Sequence, residues 1–547
     1  MGKIYYIAVA LVFALAILWR LPELDLRPMH NDEAVNAIKF GELWQKGSYK
    51  YDPDEYHGPT LHYFTLPLAW LSSARDFSQL SEKTLRLSPV LFSLFAIMFI
   101  WLLKEAIGKW GVVCATLIFA ISPIMVFYSR YFIHEMLLIC FTTLLIAAGW
   151  KYYRNGKLLW AIAAGAGLGL MYATKETFVL AVAALITATI LESIYSYYFC
   201  GSEKQACNEI DDTGCCGILE KFPFLRLIVK RVKKKHLLIA LFAALAVSIP
   251  FFTSMFSNWQ GIIDSARTYF PWLERAGGKS PHIHPWYFYF ERLLWFKPPR
   301  NPVYVWSEGT ILIFAIVGCY IGFNKTQYKE ANINKGFIRF ISFYSVVLAG
   351  IYSAISYKTP WCALGFWSGI ILLAGAGAGG VFAISKQTWG KAILGLLILA
   401  GAAHLSYLSW MANYVHFANW RNPYVYSQTV PDILRLVKVV EGVSKVHPDG
   451  KKMVIKVIAP EHNYWPLPWY FRSFENVGWY DKLPQDPYAP VVICGSGINA
   501  EIDEKTNKEW LMVGLYELRP RFYLEMYVEF KYWEKYVMGL PKQRDND

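Results

Sequence analysis

Long apolar runs recur through the first three quarters of this chain and stop near residue 410, and nothing else in the sequence limits the fold so tightly. A helix needs roughly 17–25 mostly apolar residues to cross a hydrocarbon core about 30 Å thick, and in lipid only helices and closed barrels satisfy their own backbone. Runs of that kind are read at 4–19, 86–103, 111–128, 135–153, 158–173, 177–199, 237–256, 308–323, 337–356, 362–384 and 392–410, giving about eleven spans. Charged residues are only 17% of the chain and 55% is hydrophobic, against roughly 25% charged in soluble domains. A water-soluble globular protein is excluded.

Lys and Arg fix the expected orientation, because cytoplasmic loops are enriched in both. With Lys3 inside, the inner loops hold Lys104 and Lys109, Arg154 and Lys157, the dense run Arg226 to Lys235, Lys325 to Lys335, and Lys386 with Lys391. The short outer loops carry single bases, Arg130, Lys175 and Lys358. A multi-pass plasma-membrane protein with a cytoplasmic N-terminus and an extracytoplasmic C-terminal region follows. The net charge of +13 is then partly a topology signal, with the basic run meeting anionic lipid rather than nucleic acid. Ile17 to Trp19 carry the first apolar run past the Ala14/Ala16 spacing of a cleavage site, as in an uncleaved signal anchor. Cys200, Cys207, Cys215 and Cys216 fall in a reducing inner loop without C-x-x-C spacing, and Cys494 is alone outside, so external disulfides within the chain are not expected.

Chemistry must therefore sit on two long outer loops, residues 20–85 and 257–306, which are too rich in aromatics for disorder. Thr60 to Leu71 and Trp286 to Phe296 are apolar but too short to span, and read as helices lying in the interface. Trp286 and its neighbours serve there as membrane anchors or as faces for a sugar. His30-Asn31-Asp32-Glu33 reads as a helix start with Asn31 as N-cap. At an outer membrane surface its carboxylate is also placed to act as a general base on an acceptor hydroxyl. Arg130, Lys175 and Lys358, near span ends, are either bases reaching the headgroups or contacts for a lipid phosphate, with Lys358 preferred and Lys175 also free to pair with the adjacent Glu176. His30, His57, His282 and His284 could join acids around a metal, but the spacing defines no ligand set.

Beyond residue 410 the pattern changes. Residues 452–459 and 491–494 read as strands and 431–443 as an amphipathic helix, while Gly495-Ser496-Gly497 reads as a turn. The expected architecture is an all-α polytopic membrane domain, 1–410, followed by a small extracytoplasmic α/β domain, 411–547.

Arg27-Pro28-Met29-His30-Asn31-Asp32-Glu33-Ala34, followed by Tyr56-His57-Gly58-Pro59, resembles the first external loop of the GT-C membrane glycosyltransferases. The nearer likeness is to the dolichyl-phosphate-mannose–protein mannosyltransferases, in the subgroup associated with flippase activity in archaeal N-glycosylation. Phe127 to Arg130, Thr174-Lys175-Glu176-Thr177, Pro285 to Tyr289, Tyr357-Lys358-Thr359-Pro360-Trp361, Tyr424 to Leu434 and Tyr464 to Tyr470 extend it along nearly the whole chain. The resemblance implies a transferase that moves a sugar from a polyprenyl-phosphate carrier to an acceptor outside the cytoplasm, a protein or a lipid-linked glycan. It implies that Asp32 is catalytic, with Glu33 beside it, and that Glu135 stands where relatives carry a second Asp. Beside these acids, the candidate substrate contacts are His30, His57, Arg130, Lys175, Lys358 and Trp286. Some relatives use a divalent metal and others none, so the metal stays open. A second class also stays open, a non-catalytic protein that helps flip or present lipid-linked sugars. The retained Asp32-Glu33 pair and the near absence of charge within the spans, Glu192 excepted, favour the enzyme.

Overall fold

The structure, a computed structural model, describes residues 2–54, 57–199, 232–277, 282–298, 305–326 and 329–540. Tyr56, most of the basic run and the four inner-loop cysteines lie outside the described residues. Two compact units result: one holds residues 1–22, 48–66 and 86–415, the other residues 23–47, 67–85 and those from His416 onward.

The eleven expected spans all fall on apolar helices: α1 (Gly2–Arg20), α4 (Glu82–Trp101), α5 with α6 (Lys109–Ile121, Pro123–Ser129), α7 (Glu135–Asn155), α8 (Leu158–Tyr172), α9 (Phe178–Phe199), α10 (Lys234–Phe252), α14 (Gly309–Phe323), α15 (Lys335–Ala354), α16 (Leu364–Ile384) and α17 (Thr388–Trp410). Among the described residues eight are long and apolar enough to cross a bilayer, and α8 and α14 are shorter apolar helices of 15 residues each. The third expected span is broken: α5 and α6 meet at 60°. Pro123 has no N–H for the helical ladder and Ser122 leaves helical backbone at ψ 122°, which ends one segment and starts the next.

Within this unit α16 is the buried centre. Its glycines let neighbouring backbones approach: a Cβ on Gly379 would lie 2.2 Å from Gly111 N on α5, and one on Gly377 would lie 2.0 Å from the Phe314 carbonyl on α14. Small residues at such contacts take the place of a hydrophobic driving force that lipid does not supply. Arg339 of α15 is paired with Glu192 of α9 at 2.9 Å, and Ser196 bonds both. That pairing makes an intramembrane charge tolerable.

The outer-loop segments form α2 (Asn31–Lys46), α3 (Thr60–Leu71), α11 (Gln260–Arg267), α12 (Tyr269–Gly277) and α13 (Phe288–Leu294). Both short apolar stretches expected to be helical are so, α3 over the same residues and α13 over part of its stretch.

In the second unit, α18 (Asp432–Val446) packs Ile433, Leu436 and Val440 against one face of a five-stranded sheet of order β2-β1-β3-β5-β4. Strand β1 (Val454–Ile458) pairs parallel with β2 (Asn476–Tyr480) and β3 (Val491–Gly495), and β5 (Phe522–Glu529) runs antiparallel between β3 and β4 (Trp510–Arg519). β3 is covered on both faces, by Val491 and Ile493 on one and Val492 and Cys494 on the other. That explains its unbroken apolar run. The expected strands and helix are present. The β2 strand and the β4–β5 hairpin are additional, because their mixed aromatic and charged sequences carry no clean alternation. Residues 464–466 lead into the one-turn α19 (Leu467–Tyr470), whose Trp469 indole donates to Glu82 at 2.8 Å.

Candidate active site

The N-terminus of α2 is built differently from the expected Asn31 cap. His30 is the capping residue: its Nδ1 accepts the Asp32 N–H at 3.1 Å, while its Nε2–H donates to the Tyr426 carbonyl at 3.0 Å. Glu33 closes the capping box by accepting the His30 N–H at 3.0 Å, and its other oxygen lies 4.0 Å from Arg27. Glu33 is fully buried, whereas the Asp32 side chain is 45% exposed. The helix start is therefore satisfied by the two flanking residues, and the Asp32 carboxylate is not consumed by capping.

In the membrane-type unit, the segments at one end of α7, α8 and α9 gather a second set of ionisable groups. Glu135 opens α7 and forms a buried ion pair with Lys175, which lies between α8 and α9. Burial alone would lower the Lys175 ammonium's pKa, but the adjoining Glu135 carboxylate outweighs it and raises the value above the ordinary range. Lys175 is thus paired with Glu135, not with its neighbour in sequence. Glu176 instead faces His57, whose Nδ1 lies 2.6 Å from Oε2, and Tyr51 donates its hydroxyl to Oε1 at 3.3 Å. Burial pushes the Glu176 carboxyl up; His57 more than reverses this and holds it below its usual value.

His57 reaches Glu176 because its loop hugs the end of α8. A Cβ on Gly58 would lie 2.2 Å from the Ala173 carbonyl, so only glycine fits, and Thr60 bonds Ala173 O at 3.2 Å and Thr174 Oγ1 at 2.8 Å. His134 donates Nε2–H to the Gly58 carbonyl at 2.9 Å and stands edge-on to both His57 and His62. Burial first, then the nearby His57, His62 and Lys175, hold its imidazole well below the ordinary value. A cavity beside the Glu135–Lys175 pair is walled by apolar side chains such as Leu138, Ile139, Ala181 and Leu348 and by the hydroxyl-bearing Thr142, Thr177, Tyr344 and Tyr352.

The other expected residues have partners of their own. Arg130, at the end of α6, donates to the Arg20 and Pro22 carbonyls at 3.0 and 2.7 Å and lies over the Tyr414 ring. Lys358 is buried, with its ammonium donating to the carbonyls of Ile355 and of His284, the latter at 3.1 Å. Its burial lowers the ammonium's pKa. Trp286 is exposed, with Tyr287 and Phe290 edge-on to it. Glu308, unremarked in the sequence, is fully buried and accepts from Ser122 Oγ at 2.5 Å, from the Ile124 N–H at 3.0 Å and from the Trp367 indole at 3.1 Å. It thereby clamps the break between α5 and α6. No spacing rule would have found it or His134, because their partners are distant in sequence.

Among the described residues no group of three or more His, Cys, Asp or Glu side chains is arranged to hold a metal ion.

A bundle of apolar helices, with a second unit built on a five-stranded sheet, is the arrangement that the comparisons match in fold. Residues 68–200 match the dolichyl-phosphate-mannose-protein mannosyltransferase family. The crystal structure of ArnT from Cupriavidus metallidurans bound to undecaprenyl phosphate is similar at TM-score 0.61 and 12% identity, over 95% of this chain and 97% of that one. The oligosaccharyltransferase AglB from Archaeoglobus fulgidus, in complex with an inhibitory peptide and a dolichol-phosphate, is similar at TM-score 0.53 and 12% identity, over 90% and 70%. At such identity the likeness is one of fold. No curated protein matches the sequence.

Proposed function

We propose that the protein transfers a sugar, with inversion, from a polyprenyl-phosphate donor to an acceptor on the outer face of the membrane, with Asp32 as the base. The observation that carries this reading is the freedom of the Asp32 carboxylate, half exposed at a helix start that His30 and Glu33 already satisfy. A carboxylate so placed takes the acceptor hydroxyl's proton as its oxygen attacks the anomeric carbon. The similar structures solved with undecaprenyl phosphate and with dolichol-phosphate support a lipid-phosphate donor. Charge on the departing phosphate is met by cations of the membrane-type unit, with Lys358 first and Lys175 and Arg130 next. The extracytoplasmic side is assigned from the bias of Lys and Arg along the sequence.

The test incubates the purified protein in nanodiscs with radiolabelled polyprenyl-phosphate hexose and candidate acceptors, comparing wild type with Asp32→Asn. Transfer by wild type that the variant loses supports the enzyme. Equal rates would make a flipping or presenting role the better reading.

A further inference from the structure

We propose that α11 and α12, with the turn before them, lie flat in the headgroup region of the membrane, their apolar side sunk into lipid acyl chains, and so hold their polar side as a cover over the Tyr51–Glu176 cluster. This seating is independent of the reaction proposed above.

The two helices are amphipathic with the apolar side turned outward. Trp259, Ile262 and Ile263, then Phe270 and Leu273, recur at helical spacing and are all exposed, Trp259 by 61% and Phe270 by 71%. Toward the protein the same segment turns Gly261, Asp264, Ser265 and Thr268, all buried. A surface helix bathed in water has the reverse arrangement, so the outward stripe calls for an apolar neighbour.

Lipid is that neighbour, because the stripe continues a lipid-facing surface. The spanning helix α10 presents Leu238, Leu241, Phe242 and Leu245 outward, and the stripe begins directly beyond its end. Ser254, Met255 and Phe256 take left-handed backbone, at φ 50°, 53° and 70°, and reverse the chain there. Met255 N–H donates to the Pro250 carbonyl and Asn258 N–H to the Thr253 carbonyl, each at 2.7 Å, and the Met255 and Phe256 side chains are exposed. A Cβ on Gly261 would lie 1.9 Å from the Phe252 carbonyl, so α11 is held against the last turn of α10. A helix of eight residues fixed at the end of a span is too short to cross and lies at interfacial depth.

The polar side has partners of its own. Asp264 accepts from Gln260 Nε2 at 3.2 Å and lies 3.6 Å from Arg267, and the Ser265 and Tyr172 hydroxyls are 2.7 Å apart. Thr268 shares a hydrogen bond with the Tyr51 phenol, which itself donates to Glu176, and Tyr269 is within electrostatic reach of Glu176. Both sides belong to the same two helices, so lipid seating on one side keeps Thr268 and Tyr269 on the cluster from the other.

The experiment is photolabelling of the full-length protein in nanodiscs of phosphatidylcholine that carries a diazirine either on the first acyl carbons or at the chain end, with adducts mapped by mass spectrometry. The chain-end probe should mark Phe242 of α10, and the shallow probe should mark Trp259, Ile263 and Phe270. Ile263→Asp with Phe270→Asp should lose the shallow adducts and keep those on Phe242, which shows the bundle intact, and amide hydrogen exchange over residues 48–54 should quicken. Phe242 marked while residues 255–273 are marked by neither probe overturns the seating. So does cross-linking of that stretch to a second copy, detected between isotope-labelled and unlabelled protein. Exchange over residues 48–54 that stays at the wild-type rate in the double variant overturns the cover.

Discussion

Asp32 and Glu33 are adjacent and chemically alike, yet the fold gives them opposite surroundings, and the two should therefore fail differently when replaced. Asp32→Asn keeps shape and helix start, so thermal stability should hold while kcat falls about 100-fold or more. Glu33→Ala removes half of a capping box from a buried position, so the midpoint of thermal unfolding should drop by the equivalent of about 1–2 kcal/mol, with turnover of the folded fraction changing far less. A Glu33 variant of unchanged stability and no turnover would move the chemistry to Glu33. Lys358 tests the donor side. Its ammonium is buried against carbonyls, with no carboxylate paired to it among the described residues. A charge-assisted contact to phosphate is worth roughly 1.5–3 kcal/mol, so Lys358→Ala should raise donor KM about tenfold or more. A donor titration at the wild-type KM would assign the phosphate to another cation.

At the scale of elements, the broken span and the histidine cluster carry the next two expectations. Glu308 satisfies three donors from the α5–α6 break and from α16, and Glu308→Ala would leave them buried without it. At about 1–3 kcal/mol for each group left unmade, thermal unfolding should move down by far more than in Glu308→Gln, which keeps one acceptor oxygen. Equal unfolding curves for the two variants would show that the clamp is not what holds the break. The ends of α7 and α9 also predict a pH dependence. His134 is held well below its ordinary value of 6.5, and Glu176 below its ordinary 4.5, so the folded state binds fewer protons than the unfolded at both sites. Stability therefore declines as pH falls: His134's contribution begins to go below 6.5, and Glu176's is lost as pH drops from 4.5 through its lower folded value. His134→Asn, which cannot titrate, should flatten the first part of that decline in melting temperature. If it leaves the slope between pH 7 and 5 untouched, His134 is not the group responsible.

For the whole molecule the expectation is topological: a reporter fused after residue 547 should be active only outside the cytoplasm, and one placed between residues 204 and 235 only inside. Activity of both on one side would discard the eleven-span orientation. The long apolar helices were legible in sequence because membrane crossing is a local demand: each helix must be long and apolar by itself, and α7, α9 and α15 announce that without their neighbours, whereas eight, not eleven, of the described helices meet that demand alone. Asp32 and Glu33 were legible as a pair for a similar reason, since a helix start is a matter of a few consecutive residues. Which of the two stays free was not legible, because the cap is completed from Tyr426, nearly four hundred residues away. Lys175 shows the same limit. Its neighbour Glu176 looks like its partner along the chain, but helix packing brings Glu135 to it and gives Glu176 to His57. Sequence by itself determined the spans, the α/β ending and the residue types available for chemistry, since these depend on hydrophobic length and period. Only tertiary structure decided which charge meets which, because a buried ion pair takes whatever partner packing brings within a few ångströms, whatever the separation along the chain.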